Sequence, residues 1–245
     1  VKADPSAQQR LLELQAIDTT LTQLAHRRAH LPELAELTRL AEEHTQLRQE
    51  RTAAQVDVDD LDHQIARIER EVEQLRTRKE RNADRLASGA GPARELEALS
   101  HEIESLNRRQ SDLEDTQLEL MERREQAQAV LDRIAAQVAT NEQQTSEVEA
   151  RRDAALAEIS QQETTQVEAR KPLVEELPDD LVALYERIRA DTGVGAALLQ
   201  SGRCGGCRLE LSGSDRARIK AAAPDDVVRC EECRRILVRT AESGL

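Results

Sequence analysis

From Leu37 to Leu86 an apolar side chain returns every three or four residues. Fifteen positions fall on that template, and eleven of them are apolar: Leu37, Leu40, Leu47, Ala54, Val58, Leu61, Ile65, Ile68, Val72, Leu75 and Leu86. The same spacing resumes at Leu96 and runs to Ile159, with thirteen apolar residues in nineteen positions. A mean step of 3.5 residues is the period that makes helices supercoil. Spacers such as "RIEREVEQLRTRKER" are charged, as solvated flanks of a coiled coil should be. Between the runs, Gly89 suits a helix end and Pro92 the first turn of the next helix. So short a break predicts antiparallel neighbours. Two arms of equal length, 8–86 and 93–171, go out and return.

Irregularities mark the ends of this hairpin. Pro32, in "HLPEL", coincides with a change of heptad phase after Leu14, Ile17, Leu21, Leu24 and Leu31, which predicts a kink or a separate short helix. The second arm weakens at "SQQETTQ" (160–166), so a looser base is expected. The polar seam residues Lys79, Asn82, Gln110, Gln117, Arg124, Asn141 and Arg152 read as register devices or snorkelling side chains. Past 171 the pattern changes. "LPDDLVALYERIRA" predicts an amphipathic helix over 179–190 with Leu181, Leu184, Tyr185 and Ile188 on one face. The organisation read from the chain is a hairpin over 6–171 with its tip at 87–93, a linker over 172–198 that carries this helix, and a final module over 199–245.

Composition supports a narrow seam over a broad core. Charged residues make up 34%, there is no Phe or Trp, and Tyr185 is the one tyrosine. Disorder, the other reading of such charge, should lack the regular apolar spacing. The net charge of −13 opposes nucleic acid and anionic membranes as general partners. No stretch reaches the ~18 apolar residues of a membrane span, and "VKADPSAQQR" shows no signal-peptide core. A soluble cytoplasmic protein with reduced thiols is the expectation.

The final module holds all four cysteines, spaced C-x2-C-x22-C-x2-C: Cys204, Cys207, Cys230 and Cys233. Two CxxC pairs at about this distance point two sulfurs each at one ion, and four sulfurs complete a tetrahedron. "RLEL", "DVVRC" and "RILVRT" read as short strands, which makes the module a small β zinc ribbon. One structural Zn²⁺ is the expected cofactor, because four thiolates leave no open position for substrate or water. A redox dithiol would want a βαβ context that is absent here. Arg203, Arg208, Arg229, Arg234 and Arg235 border the cysteines and are expected to lower their pKa values. Other chemistry is sparse. His26 and His30 stand four apart without a carboxylate ligand, and His44, His63 and His101 read as seam or surface residues. No phosphate-binding glycine loop is present, so no catalytic residue and no small-molecule substrate are expected.

The motifs "LPDDLVALYERIR", "CGGC" and "VRCEECRRILVR", behind a long hairpin, resemble bacterial coiled-coil hairpin proteins with a C-terminal C4-type (RING-like) zinc ribbon. The resemblance covers essentially the whole chain. It implies zinc on Cys204, Cys207, Cys230 and Cys233, and a role as adaptor for transcription or secretion machinery or as a nucleic-acid-binding protein. It departs at one place: a glycine commonly follows the last cysteine, where this chain has Arg234, which would carry strain if φ is positive there. Two partner classes follow. The first is protein, bound by hairpin and ribbon as an adaptor. The second is RNA or DNA, bound by basic side chains at the tip (Arg76, Arg78, Lys79, Arg81, Arg85, Arg94) and on the ribbon (Arg203, Arg208, Arg234, Arg235). Base-stacking aromatics are lacking, which disfavours specific single-strand recognition.

Overall fold

Side chains on a 3–4 seam, having nowhere else to leave water, draw the two long arms together. A computed structural model describes residues 1–245 as a mostly helical chain ending in a small strand region. The helices are α1 (Pro5–Ala29), α2 (Pro32–Ala87), α3 (Ala93–Glu175), α4 (Asp179–Thr192) and α5 (Gly213–Ala221). The strands are β1 (Ala196–Gln200), β2 (Arg203–Cys204), β3 (Val228–Arg229) and β4 (Ile236–Val238). Two compact units partition the chain, residues 35–149 and residues 1–34 with 150–245.

In the 35–149 unit, α2 and α3 form an antiparallel pair along the expected seam. Ala54 and Val58 pack on Leu131 and Ile134, and Leu40, Leu61, Val72, Leu106, Leu113 and Val138 are buried in the same way. Several polar seam residues bond across it. Lys79 Nζ donates to Gln110 Oε1 at 2.8 Å, Arg124 meets Asp62 at 3.0 Å, and the buried Asn141 donates to the Leu40 carbonyl at 3.2 Å. A one-heptad slip would part all three pairs, so they act on register.

The other unit is built around α1. Pro32 does not merely kink the first arm: α1 ends at Ala29 and α2 starts afresh at Pro32, where proline's missing N–H costs nothing. The expected loosening at 160–166 does not occur. There α3 stays helical through to Glu175, even across Pro172, and Ile159 is buried against Leu24 of α1 and Leu31 just beyond it. Leu11 and Leu14 of α1, Leu181, Leu184, Tyr185 and Ile188 of α4, and Ala196, Ile236 and Val238 of the sheet share one core. The amphipathic helix therefore finds its partner surface on both α1 and the sheet.

The sheet runs β2-β1-β4-β3, with β1 and β4 parallel and both outer pairs antiparallel. Its first strand, 196–200, starts in the last three residues of the stretch read as linker and runs into the final module. "RLEL" contributes only a single bridge, Arg203 to Glu210, while "DVVRC" and "RILVRT" supply β3 and β4. The helix α5, capped by Ser212, was not expected. Alternation divides the sheet cleanly. Ala196, Ile236 and Val238 face the helices, whereas Ala197, Leu199 and Leu237 face a second core with Leu211, Ile219, Val228, Cys204 and Cys230. Just before β1, a Cβ on Gly195 would sit 2.5 Å from the Tyr185 ring, so only glycine permits this approach.

Candidate metal centre

Two tight turns carry the cysteines, one after β2 and one after β3. In each, the residue following the second cysteine closes the turn on the first: Arg208 N donates to the Cys204 carbonyl (2.7 Å) and Arg234 N to the Cys230 carbonyl (2.9 Å). Each first cysteine also receives two amides, Gly206 and Cys207 on the Cys204 sulfur, Glu232 and Cys233 on the Cys230 sulfur. Such amide bonds favour a thiolate and aim it inward. Gly205 is drawn against the sheet, its amide 2.8 Å from the Leu198 carbonyl, where a Cβ would also lie only 2.8 Å from that oxygen.

The four sulfurs converge. Cys204 Sγ is 3.7 Å from Cys233 Sγ, Cys207 Sγ is 3.9 Å from Cys230 Sγ, and all four lie within 4.8 Å of one another. A tetrahedron with Zn–S bonds of ~2.3 Å needs sulfurs about 3.8 Å apart. The donor set fits zinc, and with four protein ligands the site is closed and structural. No pair is a disulfide.

The flanking arginines do not set the thiol acidity as expected. Burial pushes Cys204 up to about 12, and burial also raises Cys230. Burial works against Cys207 as well, yet the Leu209 amide and the other three thiols outweigh it and leave this group below the usual value. The arginines turn elsewhere. The Arg203 side chain is 65% exposed and reaches toward Glu210, while Arg235 donates to the Thr192 carbonyl at 3.1 Å. Protons held on buried thiols must leave when metal enters. Apparent zinc affinity is therefore expected to fall by more than roughly tenfold for each pH unit lowered from 8, measured by competition with a chromogenic chelator. A flat profile would contradict buried, proton-bearing ligands.

Both turn-closing residues adopt the left-handed conformation, Arg208 at φ 64° and Arg234 at φ 59°. The arginine in place of glycine at 234 thus carries strain. Arg234→Gly is expected to stabilise the zinc-bound ribbon by about 1 kcal/mol, read as a higher thermal midpoint. A lower midpoint would mean that the side chain does something compensating.

Arg239 braces the segment leading into the second turn. Its guanidinium donates to five carbonyls, those of Ile219, Ala222, Ala223, Pro224 and Asp226, at 2.7–3.3 Å. Neither its sequence position nor its neighbours announce this. A buried polar hub ties the other face of the sheet to the helices. Asp18 (2% exposed) accepts from Arg170 Nε (2.8 Å) and Tyr185 Oη (2.8 Å), and Gln15 Oε1 accepts from Gly195 N (2.7 Å). Arg170 also meets Glu186, which Arg189 pairs in turn. Desolvation and the Asp18 carboxylate hold the Tyr185 hydroxyl far above its usual range, so it remains a donor. One signal for Asp18 existed: it stands four residues after Leu14, on the buried face of α1.

The basic side chains split into used and free. At the tip, Arg76 pairs with Glu114 at 2.8 Å, Arg78 with Glu102, and Lys79 with Gln110, whereas Arg81, Arg85 and Arg94 are exposed and unpaired. Folding α3 back beside α2 adds Glu95, Glu97, Glu102 and Glu104, so residues 76–104 balance six basic against six acidic side chains. The positive excess read from the linear segment is cancelled. On the ribbon, Arg208 and Arg234 are exposed and unpaired, Arg203 is loosely held by Glu210 at 3.8 Å, and Arg235 is committed to Thr192. His26 and His30 stack with ring centroids 4.0 Å apart, and His30 Nδ1 is engaged by the His26 carbonyl, so they gather no metal-binding set. No helix is long and apolar enough to cross a membrane.

Comparison with known proteins places this geometry. The CT398-like coiled coil hairpin domain matches residues 14–193, and the C4-type zinc ribbon domain matches residues 203–237. The uncharacterized protein Rv2229c of Mycobacterium tuberculosis is 41% identical over 239 residues, 98% of each chain. A solved structure from Mycobacterium smegmatis superposes with a TM-score of 0.87 at 40% identity, over 98% of this chain and 100% of its own. CT398 from Chlamydia trachomatis shares the fold, with a TM-score of 0.67 at 21% identity over 95% of this chain and 97% of its own.

Proposed function

The chain belongs to the CT398-like coiled coil hairpin family, and on that premise we propose that it works as a non-enzymatic adaptor, with hairpin and zinc ribbon as docking surfaces for protein partners in the cytoplasm. Partners in transcription or secretion machinery suit this reading. The observation that carries it is the two-sided sheet. One face encloses two zinc ligands, and the other is welded to α1 and α4 through Ala196, Ile236, Val238 and Tyr185. A metal-closed surface held on a helical base can present side chains to a partner without reordering, which limits the entropy lost on binding. Leu209, 53% exposed beside the unpaired Arg208 on the first turn, is the kind of apolar contact such a surface would offer.

The adaptor reading is tested with zinc-loaded full-length chain as bait, before and after nuclease treatment, against a Leu209→Asp, Arg208→Glu variant. A stoichiometric protein partner that survives nuclease and is lost with the variant is the expected result. Recovery of nucleic acid alone would overturn it.

A second reading, RNA or DNA binding, draws support from the unpaired Arg81, Arg85 and Arg94 at the tip and Arg208 and Arg234 on the ribbon. The charge balance around the tip weighs against it. Phosphate contacts weaken steeply with salt, so absence of binding at about 50 mM salt would remove this reading.

A further inference from the structure

A cleft of about 770 Å³ opens between α4 and the second cysteine turn. That volume is in the range of small-ligand sites, roughly 300–1,000 Å³. Three arginines from different elements line it: Arg187 of α4, Arg229 of β3, and Arg234 of the turn. None of the three guanidinium groups has a hydrogen-bond or ion-pair partner. Asp191 and Glu232 line the same cleft, yet neither closes an ion pair with them. Its apolar side is formed by Leu184 and Ile188, which the shared core holds in place.

Three unpaired guanidinium groups around one concavity repel one another, and a counter-anion relieves that repulsion. Arginine's planar fork matches phosphate oxygens two at a time. The zinc-bound sulfurs add negative charge, but Cys233 is the only one of the four that reaches the cleft wall. The two carboxylates make a long polyanion a poor fit, since such ligands need a continuous positive track. They suit a ligand with one anionic group and a hydroxyl- or amine-bearing body. The left-handed backbone at Arg234 belongs to the cysteine turn, since Arg208 shares it at φ 64° outside the cleft.

We propose that this cleft binds a small ligand through a phosphate-class dianion, gripped by Arg187, Arg229 and Arg234, while Asp191 and Glu232 accept hydrogen bonds from its polar body. The site goes beyond the adaptor reading and does not depend on it.

The test is titration of zinc-loaded full-length chain with ribose 5-phosphate, ribose and inorganic phosphate, followed by calorimetry and by arginine Nε–H shifts. Saturable binding of ribose 5-phosphate but not ribose is expected, weakened roughly tenfold or more by Arg187→Gln and by Arg234→Gly. Equal affinity for inorganic phosphate would support the arginine grip with free phosphate as its source, and would overturn the part given to Asp191 and Glu232. Arg234→Gly is informative because glycine suits the turn, so lost binding cannot come from a misfolded ribbon; zinc content confirms this. Arg81→Gln at the hairpin tip should change nothing. The proposal is overturned if neither phosphate compound binds saturably, or if both variants bind as the parent does. Affinity for single-stranded homopolymers that climbs with strand length would also overturn it.

Discussion

Removing zinc, or replacing Cys230 with serine, melts one face of the ribbon and spares the other. Amides that belong to the cysteine turns, Gly205 to the Leu198 carbonyl, Arg208 to Cys204 and Arg234 to Cys230, lose their hydrogen-exchange protection. The α4 amides and the Ile236 amide, bonded to the Gly195 carbonyl at 3.0 Å, retain theirs. The asymmetry follows from the two cores. Around the cysteines, the apolar core is small, built on Leu199, Leu211, Ile219, Val228 and Leu237, and the thiols sit in the middle of it. Without metal, two buried sulfurs, Cys204 and Cys230, lose the ion that joins the turns. Small zinc modules draw on the order of 10–16 kcal/mol from the metal, as much as these five aliphatic side chains gain together, and the conformational entropy of ordering the two turns needs both. The opposite face keeps its packing on α1 and α4 whether or not metal is present. Chelator-dependent hydrogen exchange reads this directly. Uniform loss of protection across 196–238 would show that the sheet has a single fate, and unchanged protection would show that zinc is not structural.

The second large effect comes from Asp18→Ala. Asp18 is buried beneath α4 and accepts from Arg170 and Tyr185, with Arg189 3.5 Å away. Removing Asp18 takes the buried acceptor from Tyr185 and from Arg170, which keeps Glu186 and partial solvent exposure. The loss therefore falls short of that for a fully orphaned buried charge, at about 2–3 kcal/mol. The Tyr185 hydroxyl would be left with only Gln15 Oε1 at 3.2 Å, an acceptor already engaged by Gly195 N. Tyr185→Phe removes a donor without leaving a charge and should cost less, about 1–2 kcal/mol. Because the two groups share a bond, the double variant should cost less than the two losses combined. Denaturant unfolding of the three variants checks this. A loss below about 1 kcal/mol for Asp18→Ala would mean that the hub is solvated and does not hold the ribbon to the helices.

Much of this molecule was legible along the chain. The seam from Leu37 to Ile159, the break at Pro32, the turn at Gly89 and the amphipathic face of 179–190 depend on neighbours within a few residues, and local periodicity reports them. Both cysteine pairs are likewise local, and their spacing named the metal. The left-handed turn at Arg234 was foreseen from the residue type that usually stands there. Less visible were β1, whose "AALLQ" follows a glycine-rich stretch and pairs in parallel with a strand some forty residues away, and α5, too short to show a period.

The amino-acid sequence by itself determined a heptad-patterned hairpin and a four-sulfur zinc site, because helix period and ligand spacing act within a turn or two of the backbone. The tertiary structure alone decided that the ribbon is docked and not free, that Asp18 and Gln15 of α1 fasten α4 and β1, and that α3 neutralises the basic tip. Those outcomes join residues some 150 or more positions apart, or depend on which helix face comes to lie beside which. Contacts of that range arise from packing, and no local pattern encodes them.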